Sequence, residues 1–112
     1  MTDARLPTHL EVSGLIRAVD AAGGFATVIS HGERDAGTLA ILTIERDKNA
    51  RFWERMPQLD GSRRFTCTRE ENPENKQEFS DYVTKRGAQD PDLWILELDV
   101  PEGERFIAAL QQ

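Results

Sequence analysis

The sequence predicts an α+β domain: a mainly antiparallel sheet of four to five strands with two longer helices packed on it, both on one face. Three observations predict it. Two segments, one near each end, carry apolar residues at helical spacing. Between and after them lie short runs rich in β-formers. Those runs follow one another through brief polar links, which favours hairpins over a doubly wound parallel sheet. The 112 residues suit a single domain spanning 1–112, and 38% hydrophobic residues gathered into runs suffice for one core.

The first helix is expected over 8–22, in "THLEVSGLIRAVDAAGG". Thr8 and Glu11 stand at capping-box spacing. Val12, Leu15, Ile16, Val19 and Ala22 form one stripe, and Gly23 and Gly24 end it. An extended "HLEV", with Ser13 capping a shorter helix, is the alternative. "FATVIS", 25–30, is a β-rich strand. "HGERDAG" is a polar loop, and "TLAILTIE", 38–45, is apolar on both faces, as a central strand is. "RDKN" is a turn. "ARFWERM", 50–56, alternates loosely until "PQLDGS" breaks it. "RRFTCTR", 63–69, sets Phe65 and Cys67 against Arg64, Thr66 and Thr68 with a period of two.

The second helix lies in "ENPENKQEFSDYVTKRG", with Asn72 as cap, Pro73 in the first position and Gly87 as its end. Its stripe of Phe79, Tyr82 and Val83 is narrow. In "QDPDLWILELD", Pro91 stops the helix, and Asp90 and Asp92 suit a turn because their side chains bond nearby amides. Trp94, Leu96, Leu98 and Val100 then form the buried face of a last strand. After the turn "VPEG", "ERFIAAL" makes one or two helical turns with Phe106, Ile107 and Leu110 inward.

Charge and cysteine content exclude several functions. A net charge of −6 opposes general binding to a phosphate backbone. The single cysteine, Cys67, allows no internal disulfide and fits a reducing compartment. No apolar stretch follows a basic start at the N-terminus. Wholly apolar runs such as Leu39 to Leu42 are far short of the ~20 residues of a membrane span. The expected place is the cytoplasm, with no membrane partner.

The chemical motifs are weak. Gly32 and Gly37 have the spacing of a phosphate loop, but the lysine is missing, Glu33 and Asp35 would repel a phosphate, and a strand follows where a helix is required. His9, His31 and Cys67 have no paired metal-ligand spacing, so neither metal nor cofactor is expected. Cys67 on an inner strand face reads as a small buried side chain. The acids of "EENPE" and "DPD" have structural uses and are poor grounds for acid–base catalysis. No catalytic signature is found.

The segment 46–69 reverses the charge balance, with seven cationic against three acidic side chains, +4 in a chain of −6. Phe52, Trp53 and Phe65 interleave with it. If its two strands pair, Arg51, Trp53 and Arg55 share one face, and Arg63 and Arg64 stand beside them. This candidate surface suits an acidic protein partner or, through stacking on Trp53, single-stranded nucleic acid. The plainer reading pairs the arginines with the acidic helix and uses Trp53 to cap the core.

The stretches "RLPTHLEVSGLIRAVDAAGGFATVISHGERDAGTLAI" and "FSDYVTKRGAQDPDLWILELDVPEGERFI" together resemble a family of short bacterial proteins catalogued only as a domain of unknown function. The matching residues are Arg5, Leu6 and Arg17; Asp35, Ala36 and Gly37; Tyr82; Asp90 to Trp94; and Gly103 with Phe106. The centre, 46–72, departs most, leaving the basic segment outside the resemblance. The resemblance implies one cytoplasmic domain and supplies no substrate. Asp35, Gly37, Asp90, Asp92 and Trp94 are therefore read as architectural. The functional expectation is a small non-enzymatic protein-interaction module, using a sheet edge and the Arg51–Trp53–Arg64 surface. The alternative is a small-ligand or single-stranded nucleic-acid binder acting through 46–69. An open strand edge also permits a homodimer.

Overall fold

The computed structural model describes residues 6–111. Its elements run α1 (Thr8–Ala21), β1 (Phe25–Ser30), β2 (Thr38–Glu45), β3 (Lys48–Pro57), β4 (Arg63–Glu70), α2 (Lys76–Gln89), β5 (Leu93–Asp99) and α3 (Gly103–Leu110). The order is the expected one, and β1 and β2 have the expected bounds.

The five strands form one sheet in the order β1-β5-β2-β3-β4. It is mixed: β5 lies parallel to β2, and every other pair is antiparallel. The expected β1–β2 hairpin does not form. The chain leaves β4 at one border, returns through α2, and inserts β5 between β1 and β2. Burial accounts for this placement, because Ile41 and Ala40 of β2 and Ile95, Leu96 and Leu98 of β5 are at most 1% exposed. Strands apolar on both faces belong in the middle of a sheet. The sequence predicts one buried face for β5, that of Trp94, Leu96 and Leu98; Leu93 and Ile95 on the other face are buried too.

For the same reason the two longer helices lie on opposite faces, not on one. Val12, Leu15 and Val19 of α1, with Ile107 of α3, cover Leu39, Ile41, Trp53, Trp94, Leu96 and Leu98. Phe79 and Val83 of α2 cover Ala40, Leu42, Phe52, Leu93 and Ile95. Each large buried side chain contributes ~1.5–3 kcal/mol by leaving water.

Three local expectations change. Thr8 is the first residue of α1, after Pro7, and caps nothing within its own helix. Asn75, not Asn72, caps α2, its side chain accepting from the Glu78 amide; Asn72 instead closes the preceding turn on the Glu74 amide. Gly87 lies inside α2. A Cβ there would sit 2.6 Å from Ser30 Oγ, so glycine admits the close approach of β1. The β2–β3 turn holds Arg46 and Asp47 at φ 51° and 63°, as a two-residue hairpin turn requires.

Candidate functional site

The 31–37 loop crosses the start of β5 and is clasped to it. The backbone carbonyl of Asp92 accepts from the amides of Glu33 (3.3 Å) and Thr38 (3.2 Å). The Trp94 indole N–H donates to the Glu33 carbonyl at 2.7 Å, and the His31 ring lies 3.9 Å from that of Trp94. A Cβ on Gly37 would stand 2.5 Å from the carbonyl oxygens of both Asp92 and Glu33. Thr8 completes the clasp from α1. Its buried hydroxyl donates to the Gly37 carbonyl at 2.7 Å. The Glu33 carboxylate accepts from the Asp35 and Ala36 amides, closing the loop on itself. Asp90 Oδ1 accepts from the Asp92 amide at 3.0 Å, a turn-forming bond. The structure thus brings Asp35, Gly37, Asp90, Asp92 and Trp94 into one clasp. Trp94 is 4% exposed, inside the core.

The basic surface is divided. Arg51, Trp53 and Arg55 do share a sheet face, but α1 and α3 cover that face. Trp53 is buried, and its indole N–H donates to Thr43 Oγ1 at 2.9 Å. It is therefore no stacking platform. Arg51 meets Glu70 and Glu104, each at 3.0 Å. Arg55 pairs with Glu11 of α1 and lies 4.6 Å from the centre of the Phe65 ring. Arg63 and Arg64 are exposed near the start of β4; among the described residues neither meets a carboxylate. Arg63 donates to the Arg55 carbonyl at 3.3 Å.

Arg55 and Arg63 wall a cleft of about 550 Å³ at the end of the sheet. Arg86 of α2, paired with Glu54 at 2.7 Å, stands on another wall, and Asp90 and Glu11 also line it. The hydrogen bond from Arg86 to Glu54 holds the guanidinium pKa above its ordinary value, outweighing partial burial. Exposed Leu6 and, beneath it, buried Leu39, Ala40 and Leu93 supply the apolar lining. Sequence reasoning missed Glu11, Glu54 and Arg86 as members of a site. Nothing local marks them, since the two ion pairs join residues 44 and 32 positions apart.

The two borders of the sheet differ. Along β4 stand Arg63, Arg64, Arg69 and Glu70. The Gln111 side-chain amide also bonds the β4 backbone, its Oε1 accepting from the Phe65 amide (2.6 Å) and its Nε2 donating to the Phe65 carbonyl (3.3 Å). On β1 there is no charge and no proline, and Phe25, Val28 and Ile29 are 75%, 40% and 46% exposed.

The other reactive side chains are dispersed. Cys67 lies opposite Trp53, and burial raises its thiol pKa. His9 Nδ1 lies 3.2 Å from the Arg34 carbonyl. Among the described residues, no group of three or more His, Cys, Asp and Glu could hold a metal ion, and no helix is long and apolar enough to cross a membrane.

Comparison with known proteins gives a family and a fold. The family model described as "Protein of unknown function (DUF1491)" matches residues 6–108. An NMR structure of a DUF1491 family protein from Caulobacter crescentus CB15 is 28% identical, with a TM-score of 0.74 over 91% of this chain and 92% of that one. A crystal structure of a DUF1491 family protein from the same organism is 27% identical, with a TM-score of 0.69 over 85% and 88%. The solution structure of protein Atu0922 from A. tumefaciens is 31% identical, with a TM-score of 0.68 over 88% of each chain. No protein with a curated description matches.

Proposed function

The chain belongs to the DUF1491 family, whose function is unassigned, and from that premise we propose that it is a small cytoplasmic, non-enzymatic module that binds a protein partner by strand addition at β1. One observation carries the reading: the contrast between the two borders. Exposed strand edges template pairing, and folded proteins blunt them with charges or cover them. The β4 border has both devices, charged side chains and the Gln111 amide. Among the described residues the β1 border has neither; its pairing with β5 is irregular between Val28 and Ser30, and it presents exposed Phe25, Val28 and Ile29. Main-chain bonding would supply affinity and those apolar side chains selectivity, the usual division in strand addition. The occupant is an extended, weakly charged protein segment. A second copy of the chain is one such partner.

A photo-crosslinking amino acid placed at Phe25, and separately at Arg64, tests this in the producing cell. The expected result is a discrete protein adduct from position 25, lost when Ile29→Lys puts a charge on the border, and none from position 64. Equal labelling at both positions, or none at 25, would overturn the reading.

The nucleic-acid alternative lacks its stacking residue, because Trp53 is in the core. What supports it is only the exposed Arg63 and Arg64.

A further inference from the structure

We propose that the cleft at the end of the sheet binds a small zwitterion of the α-amino-acid type, with an apolar side chain. Its volume of about 550 Å³ is in the range of small-molecule sites. Its charges are balanced: Arg55, Arg63 and Arg86 face Glu11, Glu54 and Asp90. A lone anion such as phosphate would meet as many carboxylates as guanidinium groups. A lone cation would meet the converse. A ligand carrying both signs matches both sets.

The hydrogen-bond accounts say which residues are left to meet it. Arg55 is held by Glu11, and Arg86 by Glu54. Each of those four side chains is only 22–29% exposed, so the two pairs form fixed walls. Arg63 has no carboxylate among the described residues and spends one N–H on a backbone carbonyl. Its planar fork suits a ligand carboxylate. Asp90 uses Oδ1 on the Asp92 amide, leaving its other oxygen for a ligand ammonium group. Leu6, which is exposed, offers apolar surface for the ligand's side chain, over a buried floor of Leu39, Ala40 and Leu93. The cleft contains no residue of β1, so this inference stands apart from strand addition.

The test is an amide NMR titration of the full chain with L-leucine, L-leucinamide, 4-methylpentanoate and inorganic phosphate. Leucine at millimolar concentration is expected to shift the Ala40 and Leu93 signals saturably. Removing either ligand charge, as in the amide or the deaminated acid, should weaken binding at least about tenfold, the loss expected for one charge-assisted contact. Arg63→Ala, on an exposed strand position, should do the same while leaving the remaining spectrum folded. Asp90→Asn keeps the turn acceptor and removes the charge, and should also weaken leucine binding. Absence of saturable leucine shifts, equal binding of leucinamide or 4-methylpentanoate, phosphate bound as well as leucine, or full leucine binding by Arg63→Ala would each overturn the proposal.

Discussion

Trp94 and Glu33, 61 positions apart, are joined by an indole N–H···O=C hydrogen bond of 2.7 Å. It locks the 31–37 loop over the start of β5. Trp94→Phe retains most of the buried ring and strands the carbonyl. Stability should fall by about 1–3 kcal/mol, read as a lower urea midpoint with an unchanged slope.

Two glycines should respond to alanine with opposite signs. At Gly37 the added methyl meets backbone oxygens at 2.5 Å that cannot swing aside. Gly37→Ala should cost about 1–3 kcal/mol or more. At Gly14, inside α1, nothing lies within 4 Å. Gly14→Ala should stabilise by about 0.5–1 kcal/mol through lower unfolded-chain entropy. Parallel urea titrations of the two variants check both.

The Arg55–Glu11 pair, with side chains 26% and 29% exposed, should be worth more than a surface pair. A double-mutant cycle with Arg55→Met and Glu11→Gln should give about 1–2 kcal/mol of coupling. The same cycle on Arg105 and Glu102, 80% and 68% exposed, should give close to zero.

Glu97 is half-buried; burial first, then the charges of Asp47 and Asp99, raises its carboxyl pKa above the ordinary 4.5. A raised folded-state value means that the native protein holds this proton more tightly than the unfolded chain does. The resulting stabilisation is full below the unfolded value and is lost as pH rises through the folded one. Glu97→Gln should therefore raise the melting temperature at neutral pH. The advantage over the parent should disappear in acid below about pH 4. An equal advantage at every pH would assign the effect to something other than this proton.

Trp53→Ala should lower stability by about 3–5 kcal/mol, the range for emptying a large aromatic site. It empties a buried site and leaves Thr43 without its donor. A variant that kept the parent's unfolding midpoint yet lost affinity for a single-stranded oligonucleotide would contradict the core placement.

The elements were legible because their signals are local: the α1 stripe, the two-sided apolar run of β2, and the alternation in β4. Topology was less so. Nothing in "LWILELD" says that β5 enters between β1 and β2, because that choice depends on which strands need both faces buried. Thr8 looked like a helix cap and in fact donates to the Gly37 carbonyl, 29 residues on. The arginines do meet acids, though of several elements and not of one helix: Arg51 meets Glu104 of α3, Arg55 meets Glu11 of α1, and Arg69 meets Glu78 of α2. Of the cleft, Arg55 and Arg63 stood out through charge alone. Their carboxylate neighbours became visible only once the sheet had gathered them.

The Gln111 amide, seated on Phe65 like one residue of a sixth strand, bears on how many neighbours the protein can take. A sheet sticky at both ends can recruit copies without limit and grow into a fibre. Under strand addition at β1 as proposed, a stoppered β4 border would leave each molecule a valence of one, and self-association would end at a pair. A single glutamine side chain would then separate a finite complex from a polymer.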